Sequence, residues 1–197
     1  MNPSLLLIGL IGLPGSGKTC AAHIIEDRFA TAFATGEGRL RCIIISRDDT
    51  RAAMFPNGTA SAEEKATAFR ECLSNTDTAL EHGCSVILDG CTFARQADRD
   101  RVQKLAEKHG IRATWIHMDC DTNTARERIA VDLDQSAHNA PDRTPDLVDR
   151  VAAAFDPPPV DAIVVNARQP EAAVEAQLRH LLTLILRGTF APPVTPA

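Results

Sequence analysis

Gly12, Gly17, Lys18 and Thr19 fall at the spacing G-x-x-x-x-G-K-T over residues 12–19 (GLPGSGKT), a combination that suits the binding of phosphate oxygens. The glycines let a loop turn its backbone N–H groups inward along a path that side chains would block. A helix starting at the end of the loop adds a dipole that favours negative charge. In such a loop the lysine neutralises β- and γ-phosphates and the threonine hydroxyl ligates magnesium. The expected ligand is therefore ATP with Mg2+, with Gly12, Pro14, Gly15, Ser16, Gly17, Lys18, Thr19 and Cys20 around its phosphates. The plainer alternative is a glycine-rich turn. The apolar run before it and the amphipathic stretch 21–29 after it supply the strand and helix that a phosphate loop requires.

A second group of reactive side chains lies at residues 45–51 (ISRDDTR), directly after another apolar run. Asp48 there could accept the proton of an attacking hydroxyl, and Arg51, three residues on, could hold an anionic group of an acceptor. The same residues would also serve as a charged, capped turn. A third run, residues 86–89 (VILD), ends in Asp89, so three apolar segments each deliver polar chemistry at one end.

The elements that must position these groups are short Ile/Val/Leu-rich runs alternating with longer amphipathic stretches. That alternation indicates an α/β fold with a parallel sheet covered on both faces by helices. Candidate strands are residues 5–11, 41–45, 85–88, 113–118 and 162–165. Ser61 and Glu64 form a capping-box pattern that opens a helix carrying Ala62, Ala66, Phe69, Leu73 and Leu80 at helical spacing down to Gly83. A second helix is expected over residues 95–109, with Val102, Leu105, Ala106 and His109 on its inner stripe. A last one begins near Pro170 and buries Val174, Leu178, Leu181, Leu182 and Ile185. Ligands of open α/β sheets bind outside the carboxyl ends of the strands, where all three clusters fall.

The set GLPGSGKT, SRDDTR, VILDGCTFARQADRDRV and ARERI resembles the polynucleotide-kinase-like family of P-loop kinases across roughly residues 5–165. That family includes 5′-hydroxyl kinases of polynucleotides, tRNA- and DNA-base kinases, and kinases of small metabolites. The resemblance implies a three-layer P-loop kinase fold with about five strands and a helical lid at about residues 121–150, in a single domain spanning residues 1–187. It makes Asp48 the general base, Arg51 the residue that binds acceptor phosphate or shapes the pocket, and Asp49 a residue that holds the loop. Asp89 contacts magnesium through water or orients Arg51, and the two roles stay open. Lids of this kind bring arginines to the transferring phosphoryl group. Here Arg126 and Arg128 open that segment, and residues 129–134 read IAVDLD where the family commonly has a further arginine. Arg143 is a third candidate beside Arg126 and Arg128, and the choice among the three stays open. The plainer alternative has Arg126 and Arg128 on a solvated face, paired with Glu127 or Asp132.

Composition narrows the partners. The formal charge of −5 argues against a surface that grips nucleic acid as a whole, and residues 119–150 hold eight acidic side chains against four arginines. Arg95, Arg99, Arg101, Lys104, Lys108 and Arg112 form a modest basic region in the opposite sense. Aromatic stacking platforms are few, with one tryptophan (Trp115, expected in a buried strand) and no tyrosine. The six cysteines are scattered without metal-ligand spacing and read as small buried hydrophobes in a reducing compartment. The six histidines show no partner pattern, and the apolar run 5–11 is too short to cross a membrane, so a cytoplasmic protein is expected. Residues 35–39 (TGEGR), 135–145 and the tail 188–197 are expected to be mobile. No feature specifies a protein partner.

The expected activity is transfer of the ATP γ-phosphate to a hydroxyl on DNA or RNA, at a 5′ end or a hydroxymethylated base. The alternatives are a kinase of a nucleoside, sugar or antibiotic-like alcohol, and a nucleotide-dependent switch without acceptor chemistry.

Overall fold

All five residues of β1 (Leu7–Ile11) are buried, as a central strand covered on both faces demands. The computed structural model describes residues 5–36, 41–134 and 143–186. After β1 the order is α1 (Lys18–Ala34), β2 (Arg41–Ser46), α2 (Arg47–Met54), α3 (Ala62–Glu81), β3 (Cys84–Asp89) and α4 (Gln96–Lys108), followed by β4 (Ala113–Asp119), α5 (Thr122–Asp134), α6 (Pro145–Ala153), β5 (Ile163–Asn166) and α7 (Glu171–Leu186). The strands form one five-stranded parallel sheet in the order β2-β3-β1-β4-β5. The α/β reading holds, each predicted strand lies where expected, and the Ser61–Glu64 capping box is present in both directions. The predicted mobile segments lie mostly outside the described residues, at 37–40 and 135–142, and the tail 188–197 lies wholly outside. Among the described residues, no helix is long and apolar enough to cross a membrane.

Because side chains alternate across a strand, the apolar runs feed two separate cores. Ile8, Leu10, Ile87 and Ile116 join Ala22, Ile25 and Phe29 of α1 and Leu178 and Leu182 of α7 on one face. Leu7, Ile11, Val86, Leu88 and Trp115 meet Phe69 and Leu80 of α3 and Val102 and Ala106 of α4 on the other. Trp115 is opposite Gly9 in the register of β1 and β4, and its ring fills the space that a Gly9 side chain would occupy. A Cβ at Gly9 would sit 2.2 Å from the Trp115 ring, which is itself held edge-on against Phe93 at 5.2 Å between ring centroids. Gly9→Ala is therefore expected to destabilise the protein by about 1–3 kcal/mol through overpacking. Urea or thermal unfolding checks this, and an unchanged midpoint would mean the ring has room to yield.

Helix α2 has no counterpart among the expected elements, and α6 falls partly within the expected helical lid. α2 follows β2 without a gap, because Ser46 caps it by accepting a hydrogen bond from the Asp49 N–H, with Asp48 and Asp49 in its first turn. α6 begins with Pro145 in its first turn and packs on α5. The cysteines are only partly as expected. Cys72, Cys91 and Cys120 are buried, whereas Cys42 and Cys84 are half-buried and Cys20 is exposed, its thiol donating to Glu171 Oε1 at 3.6 Å. Cys20 is the third residue of α1.

Candidate active site

The loop after β1 is pinned at its start and packed against a helix at its turn. Gly12 N–H donates to the Thr92 carbonyl at 3.1 Å, tying the loop to the segment that follows β3. Gly15 has φ +80°, and a Cβ there would lie 2.4 Å from the Ala125 carbonyl oxygen of α5, so glycine is required both by conformation and by contact. Gly17 ends the loop in the left-handed region and Lys18 starts α1. Lys18 is 9% exposed, and its Nζ donates to the carbonyl oxygens of Leu13 at 2.7 Å and Gly12 at 3.0 Å. Burial lowers the Lys18 ammonium from its ordinary value to about 8, against the opposing pull of Asp89 and Asp48, while Arg143 pushes it the same way as burial.

Parallel register sets the two carboxylates side by side. Ser46 at the end of β2 pairs with Asp89 at the end of β3, and Asp48 sits in the first turn of α2 just beyond. Gly90, at φ +72°, lets the chain after β3 pass against α2, since a Cβ there would lie 2.7 Å from the Asp48 nitrogen. Arg47 Nη2 donates to Asp48 Oδ1 at 3.0 Å. The segment after β3 is held from behind by Arg99, whose buried guanidinium donates to the carbonyls of Phe93 (2.8 Å), Ala94 (3.3 Å) and Pro157 (2.7 Å).

These groups open into one cavity of about 650 Å³. Pro14, Gly15, Ser16, Gly17, Lys18, Thr19 and Cys20 line it from the phosphate loop, Asp48 and Asp89 from the ends of β2 and β3, and Arg128 from α5. Gly12 lies beneath, accepting from Lys18. On the side of β5 and α7 the lining includes Ala167, Gln169, Glu171 and Val174.

Two of the expected residues are placed elsewhere. Arg51 is 3% exposed and does not line the cavity, whereas Arg47, one turn nearer the strand end, does. Arg126 is solvent-exposed, bonded to Asp149 of α6 and to Asn123, and does not line the cavity either. Arg128 and Arg126 are two residues apart, which on a helix means roughly opposite faces. Arg143 does line the cavity and pairs with Asp132 at 2.9 Å. Reading residue types also missed Arg47 and Lys65, which both line the same space.

The basic region near α4 is largely engaged within the protein. Arg99 is buried, Arg101 lies over the Phe69 ring at 4.7 Å, Lys108 pairs with Asp77 and Glu81, and Arg112 pairs with Asp161. His109 is bonded to Asp77 at 2.7 Å, a structural contact remote from the cavity.

The donor set fits magnesium. Asp89 Oδ1 and Ser16 Oγ are buried without a hydrogen-bond partner at the cavity wall, which a hydrated cation and a phosphate oxygen would satisfy. Among the described residues there is no cluster of three or more His, Cys, Asp or Glu able to hold a metal alone. Magnesium characteristically takes one or two protein oxygens and completes its shell with water and phosphate.

The sequence matches a family model described as an AAA domain (AAA_33) over residues 7–158. No curated protein matches it. Among solved structures, Kti12 of Chaetomium thermophilum in complex with ADP-AlF3 is 18% identical, with a TM-score of 0.67 over 91% of this chain and 98% of that one. The Mycobacterium tuberculosis APS kinase CysC in complex with AMPPNP and APS is 16% identical, with a TM-score of 0.64 over 93% and 98%. A gluconokinase from Sinorhizobium meliloti 1021 is 17% identical, with a TM-score of 0.60 over 93% and 94%. These likenesses establish a P-loop NTPase/kinase fold.

Proposed function

The chain belongs to this AAA domain family, and on that premise we propose that it is an ATP- and magnesium-dependent kinase that phosphorylates a hydroxyl group of a small molecule. The observation that carries the reading is the opening of Asp48 into the same cavity as the phosphate loop and Lys18. A nucleotide switch needs the loop but not a carboxylate and a vacant volume beside it.

Lys18 neutralises the β- and γ-phosphates once ATP displaces the carbonyls it now contacts. Ser16 Oγ donates to a phosphate oxygen. Thr19 and Asp89 would hold the magnesium ion, which would supply positive charge to the phosphate oxygens. Asp48 takes the proton of the acceptor hydroxyl. The oxygen then bonds to the γ-phosphorus as the bond from that phosphorus to the β–γ bridging oxygen breaks, and ADP leaves. Arg128, with Arg143 freed from Asp132, reaches the transferring group from the α5–α6 pair, which acts as the lid of a single kinase domain. Arg126 belongs to the lid's internal structure through Asp149, and Arg51 is buried away from the cavity.

A small acceptor is favoured over a polynucleotide on three grounds. The cavity lies within the roughly 300–1,000 Å³ range of small-ligand sites. The basic residues of the α4 region are mostly buried or paired. Solved structures of this fold include an APS kinase and a gluconokinase. Transfer of labelled γ-phosphate from ATP to a panel of 5′-hydroxyl DNA and RNA, hydroxymethylated DNA, nucleosides, sugars and small alcohols tests the choice. Label is expected on a small alcohol. Label on a polynucleotide alone would restore the nucleic-acid reading.

A further inference from the structure

Five cationic and four anionic side chains line the cavity of a chain whose overall charge is −5. Topology divides them. Lys18 lies at the loop after the central strand β1, and Arg128 and Arg143 come from the α5–α6 side. Arg47 and Lys65 come from α2 and α3, on the β2–β3 side, beside Asp48 and Asp89 and away from Gln169 and Val174 at the β5 end. The first three cations suffice for the triphosphate. The other two lie where the acceptor must sit if Asp48 takes its proton.

We propose that the acceptor carries its own anionic group, a phosphate, sulfate or carboxylate, held between Arg47 and Lys65. This rests on the kinase reading of the same cavity. The positions of both cations are built in. Arg47 is fixed by the Ser46 cap and by its bond to Asp48. Lys65 follows the capping-box turn of α3, where Glu64 accepts from Thr59 N–H at 3.2 Å and Ser61 N–H at 3.1 Å, so the start of that helix is anchored to the loop before it. Without these cations an anion would meet only the carboxylates Asp48 and Asp89 in this half of the site, and like charges there would exclude it. Arg and Lys on two separate helices give a charge-assisted clamp that a neutral alcohol cannot use.

Calorimetric titration of the ADP-bound protein with pairs of compounds sharing one carbon skeleton tests this directly: a polyol and its phosphomonoester, a sugar and its carboxylic acid. The anionic member is expected to bind at least about tenfold more tightly. Lys65→Gln should abolish that preference, Lys65→Arg should keep most of it, and neither should alter ADP affinity. Equal or tighter binding of the neutral members, binding by none of the anionic ones, or an unchanged preference in Lys65→Gln would overturn the proposal. Because the measurement reads binding, its outcome is separate from label transfer. Selective anion binding without transfer would sink the kinase reading, and transfer to neutral alcohols alone would sink only the anionic acceptor.

Discussion

Asp48→Asn is expected to lower kcat by about 10²–10⁴-fold, the range for loss of a general base, while ATP affinity stays close to that of the unaltered protein. The substitution preserves size and leaves an amide oxygen to accept from Arg47, which now donates to Asp48 Oδ1. What it removes is the capacity to take a proton. Asp48 sits beyond β2 and the phosphate loop beyond β1, with β3 between them in the sheet, and its pull on Lys18 is smaller than that of Asp89, so the donor half of the site should largely tolerate loss of the Asp48 charge. Single-turnover transfer together with equilibrium titration of ATP separates the two effects. Transfer surviving undiminished would remove Asp48 from the chemistry, and a switch would keep its nucleotide response with no transfer to lose.

Lys18→Met gives the second large effect, and its signature is a split between function and stability. Transfer from ATP should fall by at least about 10²–10³-fold, the typical loss when a charge aimed at the reacting phosphoryl group is removed. Stability without nucleotide should hold at pH 7. Burial lowers the Lys18 ammonium to about 8 from an unfolded value of 10.5, so the folded state binds this proton less readily than the unfolded one. Below pH 8 both states carry the charge and the folded protein bears the whole penalty, on the order of 3 kcal/mol. Between pH 8 and 10.5 the folded state releases the proton first and the penalty fades. The two bonds to the Leu13 and Gly12 carbonyls, each contributing about 1.5–3 kcal/mol, are together large enough to offset it. The variant should therefore have a Tm at pH 7 close to that of the unaltered protein, and its Tm relative to that protein should fall toward pH 10. A clear loss of stability at pH 7 would show that those bonds outweigh the buried charge.

The difference between what was legible in the sequence and what was not follows from how each signal is encoded. The phosphate loop, the five strands and the capping box at Ser61 are local patterns, and the structure reproduces them. The facing of a helical side chain depends on how the helix docks. Arg126 and Arg128 look equivalent in ARERI, yet only Arg128 reaches the cavity, because two residues turn a helix by about 200°. The family resemblance gives Arg51 a role toward the acceptor and gives Arg47 none. Helix α2 starts at Arg47, so that residue lies at the strand end and Arg51 lies one turn deeper, where it is buried. Lys65 sits in the run Glu63-Glu64-Lys65, which reads as ordinary helix surface. The only available hint was its place just after a capping box, where a helix begins at a sheet edge. The basic run near α4 was misleading in the opposite way: Arg99 is drawn inward by three carbonyls, and Lys108 is paired with Asp77 at the surface.

The two-substrate nature of the cavity is tested most directly by following ADP formation and the fate of the γ-phosphate together, with and without a hydroxyl acceptor. The expected result is ADP formation that depends on acceptor, with one phosphorylated alcohol per ADP, and loss of both in Asp48→Asn. ADP released at the same rate without acceptor, with the γ-phosphate appearing only as inorganic phosphate, would contradict it.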